Sequence, residues 1–468
     1  MLTFFLDFNN SNVETSDLMS KKFSKEPLRG MKDYYPSDLR IDNWIIDIIR
    51  DVAERYGYEE YETPQLEPIE IFAAKSSEEL VNEQSFIVEK KEGERLILIP
   101  ELTPSLARMV ARKSQELKKP IRWFCIPTCF RYERPQRGRL REFKQPNIDI
   151  LGEESLYADL EIFNIIVDIF TEFGATAEQF QIYYNSRRFM DSVCKFILKI
   201  DKDKIPLVYK ILDKSDKMEE DEFEKYVIDT FRNEVIIQGI LKLKDAKDVD
   251  ELLNKFDNIP HEFYESEEYL EIIKFEQLLS EVGISNFCTF SSGTVRGLDY
   301  YTGIVYEVYD TGTENKRSIF GGGRYDDLLS LYSDEKITGT GFGMGVYTLS
   351  LFLETYNLIP EDIREKDCSD TIYIACINED VSIYAIKLAN LIREEDFPCI
   401  VDYRFNNIKN QLKKANELGV FITLIIGSKE MAEKKVTIRN MVSEDQKTIN
   451  IDDVIDELYN ILDELEEL

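Results

Sequence analysis

The spacing of apolar residues changes its rule along this chain, and those changes restrict it to a multi-domain α+β architecture. From Arg40 to Tyr58, the residues Ile41, Trp44, Ile45, Ile48, Ile49 and Val52 fall on one helical face. Gly57 ends that helix, and a strand is expected toward Thr63 and Pro64. Arg95–Leu98 reads as a strand and Pro104–Lys118 as a helix. Arg122–Arg131 reads as a strand, Glu142–Leu151 as its returning partner, and Ala158–Phe173 as a helix. Pro135 and Gly138 mark the hairpin loop between the two strands. Residues 188–283 then change character: they are helical, rich in Lys, Asp and Glu, and nearly free of Gly. That suits an inserted helical module. Strand signals return at Asn286, with a dense glycine cluster through Gly345.

The last hundred residues alternate. Thr371–Ile377, Pro398–Tyr403 and Val420–Ile426 read as strands, separated by helices over Val381–Arg393 and Asn407–Leu418. This βαβαβ order implies a small α/β domain with a largely parallel sheet. Ile451–Leu468 closes the chain as an amphipathic helix with Ile451, Ile455, Leu458, Leu462 and Leu465 on one side. The expected boundaries are an N-terminal extension over 1–26, a mixed domain over 27–187 and 284–358, the helical insertion over 188–283, and the C-terminal domain over 370–468.

The chain has 468 residues, too many for one ordinary core. Its net charge of −32 opposes a nucleic-acid partner unless basic charge is concentrated locally. Seven cysteines, an odd number without framework spacing, fit a reducing and therefore cytoplasmic compartment. Cys125 and Cys129 are the one close pair; with no His near them they read as buried thiols, not zinc ligands. The single histidine, His261, lies in a Lys- and Glu-rich stretch and reads as a surface or packing residue. No apolar run reaches the roughly 18 residues of a membrane helix, and the first residues lack a basic leader.

Four strings carry the chemistry. Between Phe130 and Gln145 there are six basic and two acidic side chains. Arg137, Arg139 and Arg141 alternate, which on a strand puts three guanidiniums on one face, suited to bidentate phosphate contact. The alternative is a solvated edge hairpin paired to nearby acids. Arg296-Gly297-Leu298-Asp299-Tyr300-Tyr301 offers a lone Arg and two tyrosines that a strand would send to opposite faces. Gly321-Gly322-Gly323-Arg324-Tyr325-Asp326 is either a close backbone approach to a ligand or a tight turn. Gly341-Phe342-Gly343-Met344-Gly345 suits a strand under a flat base, leading into an apolar helix whose N-terminus favours an anion.

In this order and spacing the strings resemble the class II aminoacyl-tRNA synthetases, and among them the histidyl-tRNA synthetases. Pro27-Leu28-Arg29-Gly30-Met31-Lys32-Asp33 with Thr63-Pro64 is similar to the family's opening and first class motif. Phe130–Gln136 is similar to the second motif, and RGLDYYTG and GGGRYD to the two signatures of the histidine enzyme. The resemblance runs from about residue 27 to 455.

It implies an α+β catalytic domain with an antiparallel sheet, a helical insertion and a C-terminal α/β anticodon-binding domain. It also implies a cytoplasmic homodimer with the early helix and the strand near Pro64 at its interface, using ATP and Mg2+ to join L-histidine to tRNA(His). The implied roles are as follows. Arg131 and Arg296 hold the α-phosphate from opposite sides, and are the catalytic cations. Glu133, Arg139, Gly343 and Gly345 complete the ATP site. Glu101, Thr103 and Gln145 meet the α-amino group, and Asp149, Tyr300, Tyr301 and Tyr325 line the imidazole pocket. No protein nucleophile or base is needed, since the histidine carboxylate attacks phosphorus and fixed cations stabilise the growing charge. Two RNA contacts are expected: the hairpin from Arg131 to Lys144 at the acceptor end, and a basic face of one C-terminal-domain helix made by Lys409, Lys413 and Lys414. Two positions depart from the family's pattern. Asp149 stands where many members carry Glu, and Thr348 stands where the third class motif carries the arginine that holds the terminal phosphates. The second departure leaves a rival open: a non-catalytic paralogue such as the regulatory subunit of ATP phosphoribosyltransferase.

Overall fold

The helix Leu156–Glu172 is apolar nearly all round, with Ile162, Phe163, Ile165, Ile166, Ile169 and Phe170 buried, so it must be covered on most sides. Burial of side chains of this size contributes about 1.5–3 kcal/mol each. In the computed structural model it lies against a central sheet and the helix Pro36–Arg55. Phe163 meets the rings of Tyr306 and Tyr184, and Phe170 stacks on Phe180 at 4.2 Å. The structure describes residues 24–73, 84–90, 93–134, 136–215, 218–244, 246–294, 300–315, 317–326, 328–332, 336–405 and 407–466. These fall into two compact units, Met1–Pro360 and Glu361–Leu468.

The central sheet of the first unit has eight strands. In chain order they are β1 (Glu59–Glu60), β2 (Ile121–Cys125), β3 (Asn147–Leu151), β4 (Phe180–Ser186), β5 (Cys288–Phe290), β6 (Ile304–Asp310), β7 (Ser318–Tyr325) and β8 (Gly339–Met344). Their spatial order is β1-β2-β3-β8-β7-β6-β4-β5. The six inner strands are antiparallel, as expected; the outermost pairs β1–β2 and β4–β5 are parallel. Residues 187–281 are helical throughout much of their length. Their last helix, Glu267–Glu281, packs Phe275 on Phe163 and Tyr184, against the face of the sheet.

The expected long hairpin is two shorter ones. Pro127 and Pro146 break both strands, so β2 pairs β3 in the central sheet while Thr128–Phe130 pairs Glu142–Lys144 as a separate ribbon. Gln145 sits in the break, its amide donating to Pro127 O at 3.0 Å. The helix expected over Pro104–Lys118 is shorter, Thr103–Lys113.

The second unit contains the expected parallel trio: Cys399–Asp402, Ile372–Cys376 and Ile422–Ile426 lie side by side. An antiparallel hairpin, Lys435–Asn440 with Gln446–Asn450, extends the sheet and was not anticipated. Val454 and Leu458 of the closing helix seal a core of Ile372, Ile374, Leu388, Ile392, Ile422 and Leu424.

Candidate active site

The inner strands of the first unit curve around a cavity of about 1360 Å³. Every sequence-nominated site residue that the structure describes lines it: Glu101, Thr103, Arg131, Glu133, Arg139, Gln145, Asp149, Tyr300, Tyr301, Tyr325, Gly343 and Gly345. Arg296, with 295–299 as a whole, lies outside the described residues, as do Pro135 and residues 1–23.

One end of the cavity is built from buried hydroxyls and carboxylates. Asp149 projects from β3 with one oxygen accepting from Tyr325 Oη at 2.6 Å and the other buried without a partner. Burial pushes the Asp149 carboxyl up to about 7, with the Tyr325 hydroxyl pulling the other way. Tyr300 Oη donates to Glu101 Oε2 at 3.0 Å, and the Tyr300 ring packs edge-on against Tyr301 and Tyr325. Burial, then the Glu101 charge, raises both the Tyr300 and Tyr301 hydroxyls, so each remains a proton donor. Tyr300 and Tyr301 were expected on opposite faces of a strand. They instead precede β6, off the strand, and both line the cavity.

The glycines make this geometry possible. A Cβ on Gly341 would lie 2.3 Å from Asp149 Oδ1, and one on Gly322 would lie 2.2 Å from Gly341 O and 2.5 Å from Tyr306 Oη. Gly321–Gly323 therefore form neither a tight turn nor a bare ligand cradle: they lie within β7, where missing side chains leave room for Tyr306, Tyr301 and the backbone of β8. Arg324, next in line, is structural. Its guanidinium is buried against Asp159 at 2.6 Å and bonds the carbonyls of Glu153 and Ser155.

The other end is cationic. Arg131 donates to Pro100 O at 2.9 Å and lies over the Phe143 ring. Arg139 pairs with Glu133, and Arg137 approaches Glu314 at 3.9 Å. The three alternating arginines do not share a strand face. Residues 136–139 form a turn closed by Gln136 and Arg139, and Arg141, beyond it, leaves the row to bond Glu133 O and Arg29 O and to cover the Tyr132 ring. Alternation fails there because Gly138, at φ +80°, reverses the chain.

Sequence reasoning missed Asn147, Glu307 and Arg317 on the wall. Asn147 accepts from Gln145 Nε2 at 3.1 Å. Glu307 is a charge within the run Ile304–Val308 of β6, whose other members are apolar or aromatic, a signal that was available; Arg317 lies in a polar stretch without a motif.

The remaining candidates resolve as packing or surface. Cys125 and Cys129 are buried free thiols, both raised by burial to about 12. His261 is exposed beside Glu265. No group of three or more metal-ligating side chains occurs among the described residues, and none of the helices described is long and apolar enough to cross a membrane.

Residues 30–349 match the family profile described as Histidyl-tRNA synthetase, and residues 371–461 match the Anticodon binding domain. The histidine–tRNA ligase of Leptospira biflexa is 35% identical over 94% of this chain and 99% of its own length. That of Haloarcula marismortui is 32% identical over 91% of this chain and 95% of its own. The crystal structure of histidyl-tRNA synthetase from Nostoc sp. PCC 7120 superposes with a TM-score of 0.71 at 24% identity, covering 94% of this chain and all of that one. With a cavity built from the nominated residues and relatives matched over nearly their full length, the chain belongs to the histidyl-tRNA synthetase family.

Proposed function

We propose that this chain activates L-histidine with ATP, forming histidyl-adenylate and pyrophosphate, and then transfers the histidyl group to tRNA(His). The observation that carries the reading is the single cavity with two chemically distinct ends. One end is buried and rich in tyrosine and carboxylate; the other is lined by guanidiniums. The partnerless oxygen of Asp149 and the hydroxyl of Tyr301 suit the two nitrogens of an imidazole, one donating and one accepting. A site built this way rejects side chains that leave its buried polar atoms unpaired. Glu101, Thr103 and Gln145 hold the α-amino group, which fixes the carboxylate toward the cationic end.

There Arg131 and, by the family resemblance, Arg296 stabilise charge on the α-phosphate as the histidine carboxylate oxygen attacks phosphorus. The bond from α-phosphorus to the bridging oxygen breaks, and pyrophosphate leaves. Glu133, Gly343 and Gly345 receive the adenine. Mg2+ would arrive with ATP and offset charge on its phosphates. No step needs a protein nucleophile, in keeping with a chain whose one histidine is at the surface.

The regulatory alternative is disfavoured, because the named relatives are ligases and the anticodon-binding unit is present. A cytoplasmic homodimer suits the reading; the exposed Leu28, Tyr35 and Leu39 supply apolar surface for a second copy. RNA contacts would be local, on Lys409 and Lys413, which are exposed, and on the half-exposed Lys414. Charging of tRNA(His) with labelled histidine tests this. Wild type should charge, and Lys413→Glu with Lys414→Glu should raise the KM for tRNA and flatten its salt dependence while leaving adenylate formation intact. Charging of histidine at an unchanged tRNA KM and salt slope in that variant would remove the RNA face.

A further inference from the structure

Thr348 stands where the family resemblance leads one to expect an arginine on the terminal phosphates of ATP. Its hydroxyl is committed to backbone, donating to Ile319 O at 2.9 Å and Gly345 O at 2.8 Å. The turn at Gly138 comes down on it: a Cβ there would lie 3.7 Å from Thr348 Cγ2. No charge comes from the helix at this corner of the cavity.

A guanidinium reaches the same corner from elsewhere. Arg317 precedes β7 and lies two residues before Ile319, the carbonyl that Thr348 bonds. Its Nη2 donates to Gln136 Oε1 at 3.0 Å, two residues before Gly138. Arg317, Thr348 and Gly138 all line the cavity. The neighbouring Arg139 pairs with Glu133 and Arg137 approaches Glu314, but Arg317 has no carboxylate partner among the described residues. A neutral amide therefore orients its fork without cancelling its charge, which leaves donors for phosphate oxygens.

We infer that Arg317 is the residue of this chain that binds the β- and γ-phosphates of ATP, in place of the guanidinium absent at position 348. The inference rests on the proposed adenylation chemistry. As the carboxylate displaces pyrophosphate from the α-phosphorus, negative charge moves onto the departing oxygens, and a fixed cation there favours departure. The family's function thus survives the change at 348 by relocation of a charge from the helix to the strand lead-in.

The test uses the full chain as wild type, Arg317→Ala, Arg317→Lys, and Arg317→Ala combined with Thr348→Arg. Histidine-dependent exchange of pyrophosphate into ATP gives kcat and the KM of each substrate, and calorimetry compares the binding of ATP with that of AMP. Arg317 is exposed, so its removal should leave folding intact. Loss of one charge-assisted contact should weaken ATP by about 10- to 100-fold in kcat/KM and binding, with AMP affinity and the histidine KM unchanged. Arg317→Lys should fall between, and Thr348→Arg should recover part of the loss. An active wild type whose Arg317→Ala variant keeps ATP parameters within about twofold, or weakens AMP and ATP equally, overturns the assignment. A well-folded wild type without histidine-dependent exchange would refute the adenylation reading itself, and the assignment with it.

Discussion

Asp149 shows how one shortened side chain sets the character of a pocket. Asp reaches less far than Glu, yet here it emerges from β3 directly beneath Gly341, and Tyr325 holds one of its oxygens at 2.6 Å. Its carboxyl is raised to about 7 in the fold, mainly by burial, against an unfolded value near 3.8. The folded state without ligand therefore favours the protonated form. That contribution is fully present below the unfolded value and is lost as pH rises through 7. Urea unfolding of the wild type should lose roughly 2–3 kcal/mol from this group between pH 5 and 8. Asp149→Asn should remove that slope. It should also raise the histidine KM by about 10- to 100-fold with the ATP KM unchanged, because a buried hydrogen bond to the imidazole is lost and its partner is left unsatisfied. An Asn variant with unaltered histidine KM would take Asp149 out of the imidazole pocket.

At the scale of elements, the glycine signature is a packing device as much as a ligand device. Gly341 faces Asp149 and Ile148 O at distances no Cβ tolerates, so Gly341→Ala must shift backbone as well as side chain. We expect it to destabilise by about 3 kcal/mol or more, read as a fall in thermal midpoint together with lost histidine binding; an unchanged midpoint would contradict the close β3–β8 approach. The same strands mark what the sequence made legible. Helices with clean apolar faces, the parallel trio of the second unit and the order of the site strings were readable, because periodicity and turn residues speak locally. The split of the long hairpin was signalled by Pro127 and Pro146 but outweighed by the apolar pattern on either side. The added hairpin of residues 435–450 was missed because its outer strand is largely exposed and carries little apolar alternation. Arg317 was invisible for a different reason: only folding brings its polar lead-in beside the turn at Gly138.

At the scale of the molecule, a strongly acidic chain keeps its cations where phosphate chemistry needs them. Arg131, Arg137, Arg139 and Arg317 line one end of one cavity, while the acids of the closing helix lie in the separate second unit. Total charge therefore governs solubility, and local charge governs substrate. Each unit has its own core, the first around its eight-stranded sheet and the second around Ile372, Leu388 and Leu424. On the proposed reading, activation chemistry belongs to the first of them. The most direct test is histidine-dependent exchange of pyrophosphate into ATP by wild type and Arg296→Ala side by side. Exchange that requires histidine and collapses in the variant is the expected result, and it would show that catalysis tolerates Thr348. No exchange from well-folded wild-type protein would contradict the account and favour a non-catalytic, regulatory member of the family.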